Sequence, residues 1–176
     1  MNEIIFASTN EHKLKEVAVI LEPKGFKVLP GKANVIEIQS EDPVEVCEDK
    51  ARKAFEQIGG PLLVDDAGLF VPRLKGFPGT MTSQVADTIG IDGFMKLCDD
   101  NEPAQFSSVV CYYDGDRMIT SVGKVDGFLK KDLVKCAGRF SDIFYVENEN
   151  MILSDMSMQG MPTHRQRALI GLLDKL

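Results

Sequence analysis

The chain opens on a short apolar run, Ile4-Ile5-Phe6-Ala7, which predicts a buried strand. Ser8-Thr9-Asn10 follow, residue types that cap helices. Leu14, Val17, Ala18 and Leu21 then recur at three-to-four spacing, with Lys13, Lys15 and Glu16 between them. That period predicts an amphipathic helix from Asn10, closed by Pro23 and Gly25. Residues 26–29 and 33–38 read as two strands, the second ending near Glu37.

Pro43 opens a second helix whose inner stripe is Val44, Cys47, Ala51, Ala54, Phe55 and Ile58, and Gly59-Gly60-Pro61 end it. Leu62-Leu63-Val64 predicts another short strand, with Asp65-Asp66 at its end. Residues 80–98 predict one or two helices broken near Gly90. Residues 107–113 and 118–125 flank Asp114-Gly115-Asp116 in a hairpin pattern, and residues 140–145 predict a strand. Pro162 and Thr163 start a last helix with Ala168, Leu169, Leu172, Leu173 and Leu176 on its apolar face. No repeat or linker divides the pattern, so residues 1–176 read as a single domain of α/β or α+β type around a mixed sheet.

Composition narrows the function. Hydrophobic residues are 44% and charged residues 27%, which supports a packed core. The net charge of −7 argues against a nucleic acid polymer as partner. A small anion would need local cations. Cys47, Cys98, Cys111 and Cys136 form no CxxC pair and there are two histidines, so a zinc site is not expected and the thiols read as reduced. The absence of a basic leader or long apolar segment predicts a cytoplasmic protein with no membrane partner.

Three segments carry candidate chemistry. Strand, Ser8-Thr9-Asn10, then helix is an arrangement that suits phosphate, because a helix start offers free N–H groups and a positive dipole end. Lys13 lies one turn in, where it could reach the same anion. The same residues also suit an ordinary cap followed by a solvated lysine. Glu37 and Asp65-Asp66 are carboxylates at expected strand ends, which suits a hard cation such as magnesium, or equally a capped turn. Thr163-His164-Arg165-Gln166-Arg167 sets two arginines in a first helical turn, against the dipole. A nearby anion would relieve that, as would pairing with surface acids.

Taken in order, these segments resemble the inosine triphosphate pyrophosphatase family over nearly the whole chain. The matching elements are Asn10 to Lys13, Glu37-Ile38-Gln39, Lys50-Ala51, Asp65-Asp66-Ala67-Gly68-Leu69, Gly76-Phe77-Pro78-Gly79, and Thr163-His164-Arg165 with Arg167-Ala168-Leu169. The resemblance implies a long twisted mixed sheet flanked by helices, two lobes with a substrate cleft between them, and a homodimer. It implies magnesium-dependent hydrolysis of nucleoside triphosphates, with ITP, dITP and XTP as substrates, to monophosphate and pyrophosphate. Ser8, Thr9, Asn10, Lys13 and Lys50 would hold the triphosphate. Glu37 and Asp66 would hold Mg2+, and Asp66 and Lys13 would be catalytic, Asp66 as the base for water. Asp65 would support them. Ala67, Phe140, Asp142, His164 and Arg165 would meet the rest of the nucleotide.

The departures fall on the base side. The family's Phe-Gly-Tyr/Trp-Asp-Pro turn reads here Arg139-Phe140-Ser141-Asp142-Ile143-Phe144. Gln159 stands where the family carries Lys, and the segment from Asp142 to Thr163 is shortened. Asp65 replaces the usual Glu, and Ala67 a hydroxyl or small residue. Two alternatives therefore stand beside the main expectation: the same chemistry on another base, and a nucleotide-binding protein without turnover.

Overall fold

The computed structural model describes residues 2–176. In chain order the elements are β1 (Asn2–Phe6), α1 (Glu11–Leu21), β2 (Phe26–Pro30), α2 (Pro43–Ile58), β3 (Leu62–Phe70), β4 (Pro78–Gly79), α3 (Thr82–Thr88) and α4 (Gly90–Met95). β5 (Glu102–Tyr113), β6 (Met118–Leu129), β7 (Phe144–Val146), β8 (Met151–Ile152), α5 (Leu153–Met158) and α6 (His164–Leu173) complete the chain. The strands form one mixed α/β sheet in the order β2-β1-β3-β5-β6-β7-β8, with β4 added to the end of β3. β1 runs parallel to β2 and β3, and the rest of the ladder is antiparallel.

Local signals account for the long helices. Asn10 Oδ1 accepts the N–H groups of His12 and Lys13 at 3.0 and 3.3 Å and so caps α1. Asp42 Oδ1 takes the N–H of Val44 at 2.9 Å, Pro43 opens α2, and Gly59 ends it at φ 72°. α1 and α6 cover one sheet face through Val17, Leu21, Ala168, Leu169 and Leu172, against Leu63 and Val110. α2 covers the other through Cys47, Ala51 and Ala54, against Leu62, Val64 and Val109. A third core, centred on Phe94, Phe106, Phe144 and Met156, fills a second lobe. Between the lobes, the Gln39-Ser40-Glu41 loop faces residues 74–81 across a cavity of about 520 Å³, bridged where Thr80 Oγ1 donates to the Ser40 carbonyl at 2.6 Å.

Several local expectations are corrected. Residues 33–38 are extended but join no sheet, because α2 side chains take their backbone groups. Gln57 bonds both the N–H and the carbonyl of Asn34, and Lys53 Nζ donates to Ile36 O at 3.0 Å. Residues 140–142 form a single 3-10 turn, and only Phe144–Val146 is strand. Asp142 Oδ2 makes that turn by accepting the N–H groups of Gly138 and Arg139 at 3.0 and 2.9 Å. The last helix stops at Leu173, which leaves Leu176 exposed. Cys47, Cys98 and Cys111 are buried free thiols and Cys136 is an exposed one.

Candidate active site

β3 organises the site. Its expected length was three residues, with Asp65 and Asp66 beyond its end. It runs instead through Phe70, since β5 continues the ladder to Phe70↔Gln105, so both acids sit mid-strand. β1 pairs with it only at Leu62 and Leu63. Past that point the β1 edge of β3 is unpaired until β4 joins it at Leu69 and Phe70, and the chain after β1 turns into α1. The two acids lie beside this gap.

Alternation along β3 sends Asp65 to the α1/α6 face and Asp66 to the α2 face. Asp65 is 3% exposed. Lys13 Nζ approaches its Oδ1 at 3.0 Å and Arg165 Nε its Oδ2 at 2.7 Å. Burial works against the charge on Asp65, but Lys13 and Arg165 outweigh it and hold the carboxyl well below the usual carboxylate range. Arg165 also pairs with Glu16, which in turn accepts from Ser157 Oγ of α5. Sequence reasoning missed Glu16. The available signal was its spacing of three from Lys13, which puts both on one face of the helix.

On the α2 face Lys50 Nζ lies 2.7 Å from Glu37 Oε1 and 3.3 Å from the Asp65 carbonyl. Glu37 is therefore held by the extended segment along α2 rather than by a strand end. Burial opposes the charge on Lys50, and the bond to Glu37 more than restores it. Asp66 has no ion pair or side-chain hydrogen bond among the described residues. Burial, with Glu37 and Asp65 nearby, pushes its carboxyl up to about 6, despite Lys50. A cavity of about 290 Å³ opens here, its wall including Ser8, Thr9, Lys32, Glu37 and Lys50. Ser8 Oγ accepts the Asn10 N–H at 3.2 Å, so Ser8 and Asn10 already serve the cap.

No group of three His, Cys, Asp or Glu side chains that could hold a metal occurs among the described residues. Glu37 and Asp66 offer two carboxylates. That suits magnesium, which is commonly held by one or two carboxylates together with substrate phosphates and water. The uncompensated charge of Asp66 gives a cation something to neutralise.

The base-side residues are less assembled. α6 rests directly on β6: a Cβ at Gly123 would stand 2.1 Å from the His164 carbonyl oxygen and 2.3 Å from the Ala168 nitrogen. This contact sets the height of His164 and Arg165 above the sheet. The His164 ring packs on Phe106, with centroids 5.1 Å apart, and its Nδ1 is buried with no partner among the described residues. Burial, aided by Arg165, pushes it down to about 3, so the imidazole is neutral. Ala67 lies on the same face of β3 as Asp65, opposite Ser108. Asp142 is taken up by its own turn, and among the described residues no hydrogen bond joins it to His164 or Arg165. Phe140, expected to meet the nucleotide, is 4% exposed and set edge-on to Phe94 at 5.1 Å and 82°. Its faces are committed to the core of the second lobe. The structure thus joins Lys13, Asp65 and Arg165 on one face and Glu37, Lys50 and Asp66 on the other, and leaves Phe140 and Asp142 apart.

The model of the Ham1 family matches residues 4–175. A dITP/XTP pyrophosphatase of Thermococcus kodakarensis is 36% identical over 171 residues, which covers 94% of this chain and 92% of that protein. One of Methanopyrus kandleri is 33% identical over 95% of this chain and 92% of its own. Among solved structures, a HAM1 protein from Coxiella burnetii superposes with a TM-score of 0.82 at 27% identity, covering 100% of both chains. The Staphylococcus aureus Ham1 protein gives 0.76 at 25% identity, over 99% of this chain and 97% of that one.

Proposed function

The chain belongs to the Ham1 family, and on that footing we propose that it hydrolyses nucleoside triphosphates to the monophosphate and pyrophosphate, with ITP, dITP and XTP as substrates and Mg2+ as cofactor. One observation carries the reading. Asp65 and Asp66 divide their work across a single strand: Asp65 is bound to Lys13 and Arg165, while Asp66 stays without a partner beside Lys50 and Glu37. The names of the relatives support the substrate class.

Ser8, Thr9, Asn10, Lys13 and Lys50 hold the phosphates in this reading. Lys13 and Lys50 share their charge with Asp65 and Glu37 until phosphate oxygens arrive. Asp66 orients the attacking water and takes its proton. The water oxygen bonds to phosphorus as the bond to the leaving oxygen breaks, and Lys13 and Lys50 offset the charge that gathers there. Glu37 and Asp66 would hold magnesium, which when bound supplies further neutralisation of the phosphate oxygens. Ala67, Asp142, neutral His164 and Arg165 face the nucleoside. A homodimer, as the family resemblance implies, and a cytoplasmic location belong to the same proposal.

A second reading keeps the chemistry and changes the base. It is favoured by Phe140, whose ring is buried where the resemblance places a residue that meets the nucleotide. Pyrophosphate release, with and without magnesium, across inosine, xanthosine and the ordinary triphosphates separates the two. Magnesium-dependent release confined to inosine and xanthosine compounds is expected. Turnover of another base alone would select the second reading. A folded protein that binds nucleotides yet releases no pyrophosphate from any would overturn both.

A further inference from the structure

We propose that Lys32 holds the terminal phosphate of the substrate and thereby favours triphosphates over shorter nucleotides; the inference rests on the hydrolase reading above. The sheet order sets the direction. β2 lies at one edge and β7-β8 at the other. The residues assigned to the base belong to the β6–β7 side, since Asp142 immediately precedes β7 and α6 rests on β6. A nucleotide whose base lies there extends its phosphates toward β1 and β2.

The chain leaving β2 is pressed against the end of β1. Gly31 N–H donates to the Phe6 carbonyl at 2.8 Å, and a Cβ on Gly31 would stand 2.4 Å from Ile5 Cγ2. A larger residue at 31 would push the loop outward. With glycine there, the next residue, Lys32, shares a cavity wall with Ser8, Thr9, Glu37 and Lys50.

Charge singles out Lys32 on that wall. Lys50 is bound to Glu37, and Lys13, on the other face of β3, is bound to Asp65. Among the described residues Lys32 has no carboxylate within ion-pair distance. Its ammonium is free for an anion without first breaking a bond. The terminal phosphate bears the most negative charge of the chain of phosphates and lies farthest from the base. It is the group that reaches this end of the cavity.

The test is titration calorimetry of inorganic pyrophosphate with magnesium, on the wild type, Lys32→Ala and Lys32→Arg. Alanine is expected to weaken binding about tenfold, as loss of a charge-assisted bond does, while arginine stays within about threefold. Binding of a nucleoside monophosphate is expected to be the same in all three. In steady-state assays the alanine variant raises KM for the triphosphate more than it lowers kcat. Unchanged pyrophosphate binding in a folded Lys32→Ala protein overturns the inference, as does wild-type protein that binds no pyrophosphate. So does an equal loss for the monophosphate. Calorimetry needs no turnover, so the two readings fail separately. Lys32-dependent pyrophosphate binding without hydrolysis sinks the hydrolase reading alone. Hydrolysis with no Lys32 effect sinks the inference alone.

Discussion

Asp65 and Asp66 are neighbours in the chain and stand on opposite faces of one sheet. Asp65 meets two cations from α1 and α6, at 3.0 and 2.7 Å, whereas Asp66 faces α2 and meets none within ion-pair distance among the described residues. One acid is a paired buried charge and the other an unpaired one among the described residues. Substitutions at the two positions should therefore have opposite effects on stability.

Asp65→Asn leaves Lys13 and Arg165 short of a buried counter-charge. Breaking a buried pair from one side costs about 3–5 kcal/mol. Urea unfolding of the variant should show a loss of that order. A midpoint within error of wild type would mean that the network contributes little.

Asp66→Asn should stabilise the protein without magnesium. The folded carboxyl stands at about 6, above its ordinary value of 3.8. The folded state thus binds the proton more tightly, so the charged form costs stability above pH 6, and the cost is relieved as pH falls from about 6 toward 3.8. At pH 7.5 the amide removes a cost on the order of 3 kcal/mol. Thermal melts should show a higher Tm, a smaller rise on adding magnesium, and turnover reduced by roughly a thousandfold. A lower Tm in the variant would contradict the arrangement.

His164 sets an acid limit. Its folded pKa of about 3 lies below the ordinary value of 6.5, so between those values the unfolded chain takes up a proton that the folded one refuses. Stability contributed above pH 6.5 is lost as pH falls toward 3. Asp66 acts in the opposite sense over part of this window, so the comparison belongs in an Asp66→Asn background. There, His164→Gln should flatten the decline of Tm between pH 6.5 and 4.5. A decline of unchanged slope would assign it to other groups.

Phe140→Ala should behave as a core deletion. Loss of a ring packed edge-on to Phe94 costs about 3–5 kcal/mol, with KM of the protein that remains folded little changed. A large rise in KM with stability intact would instead show the ring on the base.

Much of the site was legible in the chain because its signals are local or ordered. Asn10 before an apolar helical stripe caps α1, Pro43 opens α2, and the Gly59-Gly60 pair closes it, all through backbone groups a few residues away. Lys13, Glu37, Lys50 and Asp66 were named from types and order, and the structure sets Lys13 on one face of β3 and Glu37, Lys50 and Asp66 on the other. The extended segment at 33–38 shows where this stops. Its alternation suited a strand, but a strand needs a partner edge, and α2 supplied Gln57 and Lys53 instead.

By itself the sequence determined the helices, the main strands, the family and the candidate acids and lysines, since capping, periodicity and motif order depend on near neighbours. Tertiary structure alone decided how those charges pair. Arg165 reaches Asp65 across 100 residues and Glu16 across 149. Which face each aspartate takes, whether Phe140 is free, and whether Lys32 meets the cavity follow from where β1 stops, how far β5 extends β3, and how closely Gly31 and Gly123 let neighbouring elements approach. No local pattern encodes those distances, because they are set by packing between parts of the chain that meet only in the folded state.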